Sequence, residues 1–413
     1  MLPFIFFYCL KYNTLNEKSQ ELFIIFSEGD FMKNTIDSII QNSISDGSTI
    51  GADCLVFHNG DEVYSGCFGY ADKEYDSPMR RNSICRLFSL TKPVTAAAAM
   101  IATDMGLFSP DTELREIFPE FSDMTYITPD GKAEKCKVPI TMEHLFTMTS
   151  GLAYPGDWCE SAKASAKLLD EAIAKNLGTA DIISRAAELP LYNIPGEYWL
   201  YGISADITAA VIEKASGMKY SDFLHKYLLD PLGMTDTDFY VPKEKLSRLA
   251  SIYRRTENGL VKEKINHLGI MDRTEPPAFE SGGAGLFSTI DDYAKFANML
   301  CNGGVYNGRR YISEKSFDYM TSPKLSANAL KGWWDRLSGY NYSCFMRVMT
   351  DVSKSQIMTA DGEFGWDGWS GTYFCCDVKN RLTILYFTQI CHASTTPQAV
   401  EIDKAVYDKL VRK

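Results

Sequence analysis

Residues 89–92 are Ser89-Leu90-Thr91-Lys92, and they open an alanine-rich apolar segment that continues to Met105 and ends at Gly106. A spacing of three on a helix places the serine hydroxyl and the lysine amine on the same face. A serine hydroxyl becomes a useful nucleophile when a neighbouring group accepts its proton. The N-terminus of a helix also offers free N–H groups and a positive dipole to a developing oxyanion. The tetrapeptide therefore predicts Ser89 as a nucleophile and Lys92 as its activating partner.

The S-x-x-K pattern is short, and a second tetrapeptide of this chain, Ser216-Gly217-Met218-Lys219, also fits it. Its glycine is typical of a helix end, and a solvated serine and lysine on a helix explain either match equally well when it is taken alone. Other segments must therefore decide whether residues 89–92 carry chemistry.

The second candidate segment is residues 195–204, PGEYWLYGIS, in which a Pro-Gly turn precedes an aromatic cluster and a predicted helix. Tyr201 is a candidate general base, because a nearby lysine cation would lower the pKa of a phenol from its ordinary value of about 10. The alternative is that Tyr201 is a core aromatic, one of 23 tyrosines in the chain.

The third candidate segment is residues 365–372, GWDGWSGT, directly before an apolar strand. Small residues there would let a substrate approach the strand edge, whose N–H can serve as an oxyanion donor. We expect Trp366, Asp367, Gly368 and Trp369 to bind substrate. A glycine-rich hairpin bend is the structural alternative.

The order of strand-like and helical patterns predicts an α+β fold. Residues 53–57 and 63–70 flank an Asn-Gly turn at 58–61, which indicates a hairpin. Two more strands are predicted at 371–378 and 382–389. The helical patterns lie at 141–149, 161–188, 204–216, 220–230, 289–302 and 398–412. Strands near both ends of the chain predict an antiparallel sheet flanked by helices, with a mostly helical domain inserted.

This order divides the chain into an N-terminal extension, a sheet domain made of two segments, and an inserted helical domain: residues 1–31, residues 32–112 with 281–413, and residues 113–280. We expect the extension to lie outside the working protein, because Met32 opens a new helical pattern with Ile36, Ile39 and Ile40. Residues 2–10 are apolar but too few to span a bilayer. A membrane-associating or disordered extension is the alternative.

Composition excludes several classes of function. The formal net charge of −11 argues against a nucleic-acid partner. The 11 cysteines include no C-x-x-C pair and the 5 histidines no H-E-x-x-H motif, so we expect no metal and no cofactor. Scattered cysteines without a pattern are typical of free thiols in the reducing cytoplasm. The chain has no G-x-S-x-G elbow and no phosphate-binding loop, which disfavours Ser-His-Asp hydrolases and nucleotide binding.

Taken together, the three candidate segments resemble those of the class C β-lactamase and penicillin-binding-protein superfamily, particularly its esterase branch. Residues 140–152 (ITMEHLFTMTSGL), 230–234 (DPLGM) and 281–289 (SGGAGLFST) are also similar to segments of that family. The resemblance covers about residues 33 to 410 and implies a β-lactamase/transpeptidase-like fold. It also implies an acyl-enzyme on Ser89, and an oxyanion hole formed by the N–H groups of Ser89 and Trp369. In this resemblance Lys92 keeps the site positive and shuttles protons, while Tyr201 acts as base and then as acid.

Two departures from the lactamase pattern bear on the substrate. Ile203 stands where the lactamases have the asparagine of Tyr-x-Asn, and Trp366-Asp367-Gly368 stands where they have Lys-Thr-Gly. A carboxylate at 367 would repel the carboxylate that β-lactams and D-Ala-D-Ala termini carry. We therefore expect a carboxylesterase acting on small neutral esters. A β-lactamase or D-Ala-D-Ala carboxypeptidase, with an amide substrate, and a non-catalytic penicillin-binding-like module are the alternatives.

Overall fold

The computed structural model of this protein describes residues 32–412, so the prediction for residues 1–31 lies outside the described residues. Residues 32–45 are helical, as their apolar spacing predicts. Ile36 and Ile40 are fully buried and pack in one cluster with Ala52 and Val56 of the first strand. This helix therefore covers one face of the sheet that the first strand joins.

The core of the fold is an antiparallel sheet of eight strands. In spatial order the strands are Tyr340–Tyr342, Arg347–Met349, Phe364–Asp367, Tyr373–Asp377, Leu382–Phe387, Gly51–His58, Asp61–Asp72 and Ser77–Pro78. Within the described residues, the first strand along the chain, Gly51–His58, thus pairs with the last one, Leu382–Phe387. The predicted hairpin is confirmed, and Asn59 and Gly60 at its turn have φ values of 56° and 92°, as a tight hairpin turn requires.

Helices lie on both faces of this sheet. The face covered by residues 32–45 is also covered by Pro397–Leu410, whose Ile402 and Val406 are fully buried. Ile290–Cys301 packs on strands Tyr373–Asp377 and Leu382–Phe387 from the opposite side. The other α-helices within residues 32–412 are Thr91–Asp104, Leu114–Ile117, Met142–Phe146, Glu160–Lys175, Thr179–Ala186, Ser204–Ser216, Tyr220–Leu224, Asp230–Leu232 and Glu314–Thr321. This arrangement confirms the predicted fold class.

Two predicted helices have different bounds. The predicted helix 161–188 is two helices, because Asn176 adopts a left-handed conformation with φ 50° and ends the first of them. The predicted helix 141–149 ends at Phe146, since Met148 has φ 55°. Both breaks fall at non-glycine residues in the left-handed region, which the apolar periodicity does not reveal.

The region between residues 113 and 280 also contains two short hairpins, Thr125–Ile127 with Ala133–Lys135 and Tyr253–Thr256 with Gly259–Lys262. The division of the chain into two folded domains stays a prediction. No helix within residues 32–412 has both the length and the apolar character needed to cross a membrane.

Long-range contacts bring the three candidate segments together. Strand Cys85–Arg86 pairs with Phe287–Ser288, which places residues 281–289 beside the segment that begins at Ser89. The helix Ser204–Ser216 packs on Thr91–Asp104. Strand Phe364–Asp367 contacts the 3-10 turn Phe88–Leu90. Residues far apart in sequence therefore meet around Ser89.

Candidate active site

Ser89 lies on a 3-10 turn, Phe88–Leu90, that leads directly into the helix Thr91–Asp104. Phe88 has φ 45°, a left-handed conformation that costs free energy for a residue with a β-carbon. Its ring is 1% exposed and packs edge-on against Trp369, with ring centroids 5.1 Å apart. This packing holds the turn in place and leaves Ser89 half-buried at the wall of a cavity.

Lys92 is fully buried beneath Ser89. Its Nζ donates hydrogen bonds to Ser89 Oγ at 3.1 Å, to the Tyr154 hydroxyl at 2.8 Å and to the Gly283 carbonyl at 2.8 Å. Burial lowers the pKa of Lys92 to about 7, and the negative charges of Asp206 and Asp367 oppose this shift. Near neutral pH, a substantial fraction of Lys92 is an uncharged amine in contact with the serine hydroxyl.

Tyr201 stands over the same lysine. Lys92 Nζ lies 4.6 Å from the centroid of the Tyr201 ring, and Trp366 Nε1 donates a hydrogen bond to the Tyr201 hydroxyl at 3.0 Å. The expectation that the lysine lowers the pKa of Tyr201 is wrong. Desolvation raises this pKa, and the contacts with Ser89 and Trp366 offset only part of the rise. Tyr201 is therefore a protonated phenol at neutral pH.

Tyr154 and Asp206 are two members of the site that the sequence did not indicate. Tyr154 follows the segment 140–152 by two residues and accepts the hydrogen bond from Lys92. The Asp206 carboxylate accepts from Ser281 Oγ at 2.5 Å and from the Gly283 N–H at 3.0 Å. The Gly283 carbonyl in turn accepts a hydrogen bond from Lys92. Asp206 therefore positions, through the backbone of Gly283, one of the groups that hold Lys92.

Gly283 has no room for a side chain. A β-carbon there would lie 2.8 Å from the Tyr154 hydroxyl and 3.0 Å from Asp206 Oδ2. The glycine lets the backbone approach Lys92 between those two groups. This explains why the segment 281–289 contains small residues where it passes the site.

The segment 366–369 is held against the backbone that precedes Ser89. Thr372 Oγ1 donates to the Leu87 carbonyl at 3.1 Å, and Ser370 Oγ donates to the Arg86 carbonyl at 2.9 Å. A β-carbon on Gly368 would lie 2.2 Å from the Leu87 carbonyl oxygen, so only glycine allows this close approach. The result is that Trp369 lies next to the turn that carries Ser89.

A cavity of about 210 Å³ opens over Ser89. Of the predicted site residues, Ser89, Tyr201, Trp366, Asp367 and Trp369 line it. Lys92 lies beneath it and Gly368 lies in the turn behind it. Trp334 also lines it, and the lining residues that were not predicted include Phe88, Tyr154, His267 and Arg336.

The second S-x-x-K tetrapeptide has the ordinary structural role expected for it. Ser216 is the last residue of its helix, and Gly217 follows in a left-handed conformation with φ 69°. The Ser216 hydroxyl contacts only local backbone groups, the Glu213 carbonyl and the Met218 N–H. Only the first tetrapeptide therefore brings its serine and lysine together.

A serine at a helix start, hydrogen-bonded to a buried lysine and covered by a tyrosine, defines the class of S-x-x-K serine hydrolases. The chain belongs to the Beta-lactamase family, whose family model matches residues 36–406.

Known relatives of this chain include esterases and acyltransferases. Protein Rv1367c of Mycobacterium tuberculosis is 30% identical over 84% of this chain and 87% of its own length. Esterase EstB of Burkholderia gladioli is 25% identical over 90% of this chain and 94% of its own length. The solved structure of "EstCE1, a hydrolase with promiscuous acyltransferase activity" shares the fold, with a TM-score of 0.76, 22% identity and coverage of 92% and 99% of the two chains.

Proposed function

We propose that this protein is a carboxylesterase that cleaves small neutral esters through an acyl-enzyme on Ser89. The observation that carries the proposal is the 3.1 Å contact between Ser89 Oγ and Nζ of the buried Lys92. A base is most effective when its pKa lies near the working pH, and the pKa of about 7 for Lys92 meets that condition.

In the proposed acylation step, uncharged Lys92 accepts the proton of Ser89 as Oγ attacks the ester carbonyl. The N–H groups of Ser89 and Trp369 stabilise the oxyanion. Tyr201, held by Trp366, donates its proton to the departing alcohol oxygen and regains one from the Lys92 ammonium. Water then attacks the acyl-enzyme with the same groups acting in reverse, which releases the acid and restores Ser89.

Asp367 supports the choice of neutral esters. Asp367 is 7% exposed and lines the cavity that Ser89 opens into. A substrate carboxylate placed beside it would meet like-charge repulsion in a poorly solvated site. Ile203 also offers no amide to a substrate side chain. These features disfavour the β-lactamase and D-Ala-D-Ala carboxypeptidase alternatives.

The name of one relative, Esterase EstB, also favours ester substrates. The ten cysteines within the described part of the chain are free thiols, which supports the proposal that the enzyme works in the reducing cytoplasm. The non-catalytic alternative is disfavoured because the side chains of Ser89, Lys92 and Tyr201 are in mutual contact.

The proposal is tested by comparing kcat/KM for p-nitrophenyl acetate and for nitrocefin, a chromogenic β-lactam. We expect ester turnover that disappears in Ser89→Ala and persists in Ser216→Ala, the matched change in the second tetrapeptide. Tyr201→Phe should lower turnover by about a hundredfold or more. Faster turnover of nitrocefin than of the ester would favour the lactamase alternative, and no turnover of either would favour the non-catalytic one.

A further inference from the structure

Asp367 presents a buried carboxylate to the cavity without a cationic partner in the described part of the chain. Thr395 Oγ1 donates to Asp367 Oδ2 at 2.5 Å. Nζ of the buried Lys92 is already in hydrogen-bond contact with Ser89, Tyr154 and Gly283 and forms no ion pair with Asp367. Arg336 is exposed at the rim, where its guanidinium lies over the Trp334 ring. An ionised carboxylate in such surroundings gains stability when a ligand cation reaches it.

The walls around this carboxylate are aromatic. The side chains lining the cavity include Phe88, Tyr154, Tyr201, Trp334, Trp366 and Trp369. The Trp334 and Trp366 rings are nearly parallel, at an angle of 24°, with their centroids 6.4 Å apart. The faces of aromatic rings attract alkylammonium groups through their quadrupoles, and tryptophan does so most strongly. Aromatic walls together with one carboxylate form a suitable binding site for a quaternary or primary ammonium group.

We propose that the physiological substrate is an ester bearing an ammonium group that binds at Asp367 between these aromatic walls. The inference rests on the proposed esterase function and extends it from neutral esters to cationic ones. Of the basic side chains near the cavity, Lys92 lies beneath it in contact with Ser89, and Arg336 lies at its rim. The ammonium group therefore binds at the Asp367 carboxylate, between the aromatic rings of the cavity, while the ester carbonyl meets Ser89. Hydrolysis consumes water and needs no further reactant.

The test compares two esters of the same shape, acetylcholine and its uncharged carbon isostere 3,3-dimethylbutyl acetate. Acid release is followed at constant pH, and kcat/KM is measured for each ester. We expect the cationic ester to be preferred by tenfold or more in the wild-type enzyme. Asp367→Asn, which keeps the shape and removes the charge, should lower this ratio at least fivefold. Asp335→Asn removes the same charge at an exposed position beside Arg336 and should leave the ratio unchanged.

The inference would be overturned if the ratio of kcat/KM for acetylcholine to kcat/KM for the neutral ester were one or less in the wild-type enzyme, or if Asp367→Asn did not change it. In that case, turnover of the neutral ester that depends on Ser89 would still uphold the esterase function. If the wild-type enzyme hydrolysed neither ester, both the esterase function and the preference for cationic esters would be refuted. If Asp367→Asn does not fold, inhibition of wild-type p-nitrophenyl acetate hydrolysis provides a second measurement. Tetramethylammonium should then compete at a concentration at least tenfold lower than tert-butanol, and equal inhibition would contradict the proposal.

Discussion

The pH dependence of ester hydrolysis follows directly from the buried position of Lys92. If uncharged Lys92 is the base, the rate follows the fraction of this amine that has lost its proton. With a pKa of about 7, that fraction rises from about one-eleventh at pH 6 to about ten-elevenths at pH 8. We therefore expect kcat/KM to rise about tenfold over this interval and to level off above it. A lysine with an ordinary pKa of about 10.4 would give a rise of about a hundredfold without a plateau.

The assay is kcat/KM for p-nitrophenyl acetate, read at a wavelength where the phenol and the phenolate absorb equally, with the rate of Ser89→Ala subtracted. His267 also lines the cavity, but burial lowers its pKa to about 4, so it titrates below this range. His267→Gln should therefore keep the rise of kcat/KM near pH 7. If kcat/KM continued to rise above about pH 9, Lys92 would not be the base. Such a profile would point instead to Tyr201, whose pKa is raised.

Three further predictions concern residues around Ser89. Tyr154→Phe removes the hydroxyl that accepts from Lys92 and should lower kcat/KM about ten- to a hundredfold with an unchanged melting temperature, so a wild-type rate would contradict its place in the site. Gly368→Ala should cost about a hundredfold in kcat/KM, because its β-carbon would lie 2.2 Å from the Leu87 carbonyl oxygen and must displace Trp369, whose N–H we propose as an oxyanion donor. Full activity would show that the turn can adjust freely. Lys92→Met should abolish turnover without lowering the melting temperature. The pKa of Lys92 is lowered from 10.5 to about 7, so burial of this amine opposes folding by about 4 kcal/mol at neutral pH. Removing this cost offsets the loss of the three hydrogen bonds, and a melting temperature several degrees lower would contradict this balance.

The sequence was sufficient for features that depend on local patterns. The contact between Ser89 and Lys92 follows from a spacing of three at a helix start, and the structure has this contact at 3.1 Å. The Asn59-Gly60 turn defined the first hairpin, and alternating apolar residues located the strands Tyr373–Asp377 and Leu382–Phe387. The glycine in Ser216–Lys219 also predicted that this second tetrapeptide marks a helix end.

The sequence was insufficient where a role depends on contacts between distant segments. Tyr154 reaches Lys92 from a loop without periodic structure, and Asp206 acts on Lys92 only through the backbone of Gly283. The direction of the pKa shift of Tyr201 was predicted wrongly, because proximity to a lysine is visible in a motif whereas desolvation is not. Among the tryptophans, Trp334 lines the cavity and Trp199 is a core residue that is 1% exposed, a distinction that needs the folded structure.

The central claim is that Ser89 carries the acyl group. The most direct test is the intact mass of the enzyme, rapidly quenched after mixing with p-nitrophenyl acetate, followed by peptide mapping of any adduct. We expect one acetyl group on the peptide containing Ser89, its absence in Ser89→Ala and its persistence in Ser216→Ala, with little adduct from a penicillin. An acetyl group on another residue, or an adduct that survives in Ser89→Ala, would contradict this claim.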